Sequence, residues 1–325
     1  MHNRKDMTKF MKTENQIIGQ LRQNIQTVIV GKEEQITMMI TGLLAGGHIL
    51  IEDTPGTGKT KLAKSLAASI EGIYKRVQFT PDLLPSDVTG INIYNQKNQE
   101  FEFIKGPVFT NILLADEINR ATPRTQSCLL EAMAEKQVTI DGTTRPLTAP
   151  FFLIATENPI ETAGTFPLPE AVLDRFDLKI SMGFPTEEEA LTLLNRYIKE
   201  DPEKNLSPVC SLEDILALQK RVRDIYIHDD IKKYITALVT ATHHHEQIQL
   251  GINPRGLLSL VRTSQAYALI NERDYVIPDD VKHLVKPCFA HRLITISGIN
   301  GIRLADNALD YILEHTPVPT ENFNA

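Results

Sequence analysis

The sequence predicts an α/β fold: a mostly parallel sheet covered by helices on both faces, with β-hairpins inserted into it, followed by an all-α second unit. Three observations carry this. Between His48 and Ile180, short apolar runs alternate with longer stretches of helical spacing, as strands buried on both faces do. Two segments of period-two alternation interrupt that pattern. Beyond Gly183-Phe184-Pro185-Thr186 the apolar residues recur at helical spacing to about Leu313.

Each element follows from its residues. The strands are His48–Glu52, Arg76–Phe79, Ile112–Ala115, Phe151–Ala155 and Leu178–Ser181, and helices fit at Lys59–Ile70, Pro123–Glu135 and Pro169–Phe176. This alternation implies parallel strands joined by helical crossovers. Ile91–Tyr94 with Phe101–Phe103, and Val138–Ile140 through Asp141-Gly142 to Leu147, read as hairpins, which are surface available for partner contacts. Thr186-Glu187-Glu188-Glu189 has the spacing of a capping box and opens the second unit, so the boundary is expected near residue 185, dividing 1–185 from 186–325. Helices follow at Ile231–His244, Arg255–Ile270 and from Pro278, and the tail after Pro317 is expected to be loose.

Composition removes several function classes. The 325 residues are 42% hydrophobic and 23% charged, within the range of folded globular chains. Thirty-four Lys and Arg against 41 Asp and Glu give a net charge of −7, so no basic excess exists to grip nucleic acid, and none is expected to bind. Cys128, Cys210 and Cys288 are odd in number and widely spaced, which suggests neither a disulfide framework nor a CxxC metal site. The polar N-terminus lacks the apolar core of a signal peptide. The most apolar stretch, Met38–Ile51, is too short to cross a bilayer. No membrane insertion and a cytoplasmic location are therefore expected.

The strongest chemical signal is Ile49–Thr60, a strand, a glycine-containing loop and a helix start, read as a phosphate-binding loop. Gly56 and Gly58 let main-chain N–H groups turn inward beside a helix N-terminus. Lys59 is then expected to reach the β- and γ-phosphates, and the Thr60 hydroxyl to coordinate Mg²⁺. The general pattern asks for glycine where this chain has Asp53. Downstream, Ile112-Leu113-Leu114-Ala115 runs into Asp116 and Glu117. Of these acids, Asp116 suits metal binding through water and Glu117 a general base acting on the attacking water. Two features carry nothing. His243-His244-His245 point in different directions on a helix, and Cys128 in an apolar run reads as a small buried hydrophobe.

Together these residues resemble an AAA+ ATPase, and within that class the MoxR family. The matching stretches are Asp53–Thr60, Gln78–Gly90, Ala115–Ala121, Gln126–Met133, Ala155–Pro159, Leu173–Phe176 and Asn253–Arg255. The resemblance implies a three-layer αβα core followed by a helical lid, and acidic residues are common in the family at the Asp53 position. It implies that Thr54, Pro55, Gly56, Thr57, Gly58, Lys59 and Thr60 hold ATP, with Val30 and Gly31 at the adenine, a plain turn there being the alternative. It implies that Asn158 orients the nucleophilic water, with a turn-capping asparagine as the alternative. It implies that Arg175 reaches a neighbour's ATP as an arginine finger, the alternative being a pair with Asp174 or Asp177. Arg120 and Arg124 lie close enough in sequence to compete for that role.

Arg255 resembles the family's second arginine sensor. A cation at a helix N-terminus is unfavourable, and a nearby phosphate would account for it. The resemblance further implies a homo-oligomer, a hexameric ring, with chaperone-like action on a protein client such as a von Willebrand factor A domain protein. Two alternatives stay open: an ATP-switched assembly module with incidental turnover, and the ATPase motor of a magnesium-chelatase-like complex.

Overall fold

The computed structural model describes residues 3–159, 164–199, 202–296 and 302–319. Five strands form one sheet: β1 Ile49–Glu52, β2 Tyr74–Gln78, β3 Ile112–Asp116, β4 Phe152–Glu157 and β5 Leu178–Ile180. Their order is β5-β1-β4-β3-β2 and every pairing is parallel. The α/β class and the inserted hairpins are thus as the sequence predicts. The hairpins are Gly90–Lys105 and Gln137–Pro146.

Continuous apolar strands arise because both faces are covered. Ile49, Ile51, Ile112, Leu114, Phe152 and Ile154 point into one cluster; Leu50, Leu113, Ala115, Leu153 and Ala155 point into the other. Over the first face lie α1 Asn3–Val28, α2 Glu33–Leu44 and α3 Lys59–Ala68. The same cluster continues without a break into Leu238, Leu260, Leu284, Phe289 and Leu309 of the C-terminal helices. Gln219 adds a tie, its Nε2 donating to Leu43 O at 2.7 Å. The expected boundary near residue 185 is therefore bridged by a shared apolar core.

Some elements differ from their sequence reading. The helix expected over Pro123–Glu135 divides at Cys128, whose N–H bonds to Thr125 O in a tightened turn. Cys128 is consequently half-buried. The segment Pro169–Phe176 holds a single helical turn, Glu170–Leu173. The second unit is helical as expected but contains short strand pairings, Cys210–Ser211 with Ile70–Glu71 and Ile248–Leu250 with Ile294–Thr295. Runs of two or three residues are too short to show a period. The capping box forms: Glu189 N–H donates to Thr186 Oγ1 at 3.2 Å and Thr186 N–H to Glu189 Oε2 at 2.8 Å. His243 and His245 turn to different partners, Ile252 O and the Tyr311 ring. No group of three or more His, Cys, Asp or Glu side chains placed to hold a metal ion occurs among the described residues. The tail from residue 320 lies outside them.

Candidate nucleotide site

Parallel strands bring all their C-terminal ends to one edge, and the strand order reverses beside β1, so the crevice there is where an α/β sheet takes its ligand. The loop Asp53–Gly58 leaves β1 at that edge. Gly56 and Gly58 have φ of +86° and +96°, left-handed backbone that a side chain would strain. A Cβ at either glycine would meet nothing, so main-chain N–H groups stay open to an anion. Helix α3 begins at Lys59 without a side-chain cap, leaving the donors of its first turn available. Loop glycines and helix start together form a polyanion cradle.

Lys59 is buried and its ammonium donates to the main-chain oxygens of Asp53 and Glu157, the latter at 2.9 Å. Burial lowers its pKa, opposed by the carboxylates of Asp53, Asp116, Glu117 and Glu157. Asp53 explains its own presence in the loop. Its Oδ1 accepts Thr54 N–H at 2.7 Å; its Oδ2 accepts Gly183 N–H at 2.7 Å and Ser181 Oγ–H at 3.2 Å. A glycine could not make that anchor to the end of β5.

At the end of β3, Asp116 is buried and Oδ1 accepts Thr156 Oγ–H at 2.6 Å. Its Oδ2 lies 3.3 Å from Thr60 Oγ1 and accepts Arg76 Nε and Nη2 at 2.9 and 2.6 Å. Glu117 follows in left-handed backbone, φ +54°, with its N–H on Thr156 Oγ1. Its Oε2 accepts Gln78 Nε2–H at 2.7 Å and faces Arg120 Nε at 3.2 Å. Asn158, just past β4, is buried, and its carbonyl accepts Asn119 Nδ2–H at 3.1 Å. The Val30-Gly31 turn reaches the same edge. Gly31 has φ +66° and packs so closely on Glu189 that a Cβ would overlap the carboxylate. Neighbouring Lys32 donates to Phe184 O at 3.1 Å.

Arg175 and Arg255 lie elsewhere. Asp177 N–H bonds to His48 O at 2.8 Å, which fixes Asp174–Asp177 at the N-terminal edge of the sheet, beyond the far end of β1. Arg255, at the start of the helix Pro254–Ile270, is ion-paired with Asp174, and Arg175 is near enough for the Arg255 charge to lower its pKa, after burial as the larger cause. The Nε of Arg175 has no hydrogen-bond partner. The whole of β1, about 13 Å at ~3.3 Å per residue, separates this pair from the phosphate loop.

Residues 48–178 match the model of the ATPase family associated with various cellular activities (AAA), and residues 240–307 match the AAA lid domain. "Chaperone MoxR1" of Mycobacterium tuberculosis is 40% identical over 308 residues, 92% of this chain and 81% of that protein. The chain belongs to the MoxR family of AAA+ ATPases. "Uncharacterized protein YeaC" of Bacillus subtilis is 50% identical over 278 residues, 86% of this chain and 87% of that one. The crystal structure of a candidate ATPase from Cytophaga hutchinsonii superposes with a TM-score of 0.88 at 36% identity, covering 97% of this chain and 99% of the other.

Nucleotide binding, typically with Mg²⁺, goes with membership of the AAA ATPases. The MoxR chain's own groups fit that ion: a hydroxyl and a carboxylate, Thr60 and Asp116, converge to 3.3 Å at the phosphate loop, and hard oxygen donors suit Mg²⁺. In the structure the Arg76 guanidinium supplies the cation on Asp116. Arg255 is ion-paired with the Asp174 carboxylate of its own chain. Of the two partners weighed for Arg175, Asp174 is engaged by Arg255 and Asn253, and Asp177 by Ser259 and the His48 main chain. Arg120, an alternative finger, contacts Glu117 of its own chain.

Sequence reasoning passed over Arg76, Gln78 and Thr156. Arg76 and Gln78 are polar side chains on a strand whose facing neighbour, β3, ends in the acidic pair, and the pairing Gln78↔Asp116 is what aligns them. Their signal was a basic and an amide residue two apart on a short strand, which has meaning only once that pairing is known. No helix among the described residues is long and apolar enough to cross a membrane.

Proposed function

We propose that this MoxR-family chain hydrolyses ATP with Mg²⁺ in a ring of its own copies and uses the cycle to remodel a protein partner. The observation that carries the reading is the separation within one chain: Lys59, Thr60, Asp116, Glu117 and Asn158 gather at one edge of the sheet, while Arg175 and Arg255 sit at the other. A complete site then needs two copies, each giving a loop to one neighbour and arginines to the next. The hexamer rests on the family resemblance.

In this scheme the loop N–H groups and Lys59 hold the phosphates, and Thr60 and Asp116 would hold Mg²⁺, which when bound neutralises charge on the phosphate oxygens. Glu117 accepts the proton of the attacking water, and Asn158 orients that water. Arg175 from the neighbouring copy meets charge developing on the γ-phosphoryl group, a contribution of about 10³ to 10⁵ in rate, roughly 4–7 kcal/mol. Val30 and Gly31 border the adenine.

We assign partner contacts to the hairpin Gly90–Lys105. Ile91, Tyr94, Phe101 and Ile104 are exposed there, with Tyr94 and Phe101 packed edge to face. The division into a nucleotide unit, 1–185, and a lid, 186–325, is part of the same proposal, as is a client of the von Willebrand factor A type. Calorimetry with Mg·ATP, followed by phosphate release from wild type and Glu117→Gln, tests the core of it. Nucleotide retained with release lost is expected; no heat with any nucleoside triphosphate sinks it.

A further inference from the structure

Glu52 and Glu157 stand directly opposite each other as the last residues of the neighbouring strands β1 and β4. Their side chains share the sheet face of Leu50 and Ala155, two residues back on each strand. Lys179 of β5 reaches in from the other side, its Nζ 2.5 Å from Glu52 Oε2. The β1–β4 register brings the Glu157 carboxyl within reach of the Glu52 carboxyl. Two ionised carboxylates have only acceptors to offer each other, so any hydrogen bond between the two needs a proton. Lys179 holds the charge on Glu52, which leaves Glu157 as the protonated partner.

The main chain of Glu157 is also what the phosphate loop hangs on. Its carbonyl accepts Asp53 N–H at 3.2 Å and Lys59 Nζ at 2.9 Å. Burial first, and the Glu52 charge second, push the Glu157 carboxyl up to about 7 against the pull of Lys179 and Lys59. From the C-terminal helices, Asp306 faces Lys179 and Glu52. Glu170, Asp174, His291 and Arg292 line, with Glu52, Glu157 and Lys179, one cavity of about 580 Å³ beside the pair.

We propose that Glu157 is a positioning residue that works as a neutral acid: its proton ties the ends of β1 and β4 together and thereby sets the phosphate loop and Lys59 for a triphosphate. The inference rests on the nucleotide reading above. When the proton leaves, two carboxylates share one lysine, the strand ends repel, and a new negative charge beside Lys59 competes with phosphate for its ammonium. Affinity therefore falls as pH rises through about 7, by at most about tenfold per pH unit, the limit for one proton. Binding of the polyanion takes up that proton.

The test is the affinity for Mg·ATP between pH about 6 and about 8.5, measured by calorimetry in two buffers of different ionisation enthalpy. Glutamine at 157 donates an N–H to Glu52 at every pH, so Glu157→Gln is expected to flatten the profile and to lose a proton uptake that in wild type rises above neutrality toward a limit of one. Glu52→Gln removes the repelling charge and shifts the profile to lower pH, which keeps the test open if the first variant misfolds. Parallel profiles in wild type and both variants overturn the inference. Absence of heat from wild type at every pH overturns the nucleotide reading instead. Infrared difference spectra of wild type against Glu157→Gln then decide the inference without nucleotide: a protonated-carboxyl band lost in the variant supports it, and no such band refutes it.

Discussion

Gln78 Nε2 donates to Glu117 Oε2 at 2.7 Å, tying the proposed general base to the end of the neighbouring strand. Oε2 held this way must release the amide before it can itself take a proton from water. Glu117→Gln is expected to lower phosphate release by about 10²- to 10⁴-fold, the usual worth of a positioned base. Gln78→Ala should raise basal release, by about tenfold if one charge-assisted hydrogen bond of ~1.5 kcal/mol has to break. Single-turnover measurements on both variants check this, and slower release in Gln78→Ala would show that the bond persists in the reactive geometry.

Lys59→Ala and Arg175→Ala are each expected to silence turnover, for different reasons. The Lys59 ammonium bonds the main-chain oxygens of Asp53 and Glu157, so its loss should weaken Mg·ATP binding about a hundredfold with the fold retained. Arg175→Ala should bind normally. Mixed in equal amounts, the two chains should regain activity, because a loop from one can meet an arginine from the other. Random assembly restores about a quarter of the interfaces. No recovery in the mixture, with rings shown to exchange subunits, would place the arginine in its own chain's site.

Asp53→Gly would make the loop conform to the general phosphate-loop pattern, yet it should destabilise the protein. Four acceptor contacts disappear, among them the 2.7 Å bond to Gly183 N–H just past β5. A loss of about 1–3 kcal/mol is expected from an orphaned donor and a more flexible loop. Denaturant midpoints for wild type and variant measure it.

Stability should fall on acidification below about 6.5. His48 and His291 are buried, and burial holds the pKa of each well below its ordinary value. Below the unfolded pKa of about 6.5 the unfolded chain binds protons that the folded chain refuses, so each histidine costs up to about 1.4 kcal/mol per pH unit. Glu157 acts in the opposite sense below about 7, since its raised pKa lets the folded state hold a proton the unfolded state has lost. Denaturation curves at several pH values should show the histidine slope, and His48→Gln should reduce it.

Local chemistry made much of this molecule readable from its residues alone. The β1–loop–α3 unit, the acidic end of β3 and the capping box at Thr186 each depend on residues adjacent in the chain, so spacing reveals them. Cys128 shows where that fails: helical spacing ran across it, but a tightened turn exposes it in part. Tertiary structure decided whatever depends on which strands are neighbours. The order β5-β1-β4-β3-β2 sets Glu157 against Glu52, Gln78 against Glu117 and Arg76 against Asp116. It also puts Arg175 and Arg255 a full strand away from Lys59. The physical reason is that periodicity records which side of a strand is buried, whereas partnership across a sheet is set by packing among segments tens of residues apart.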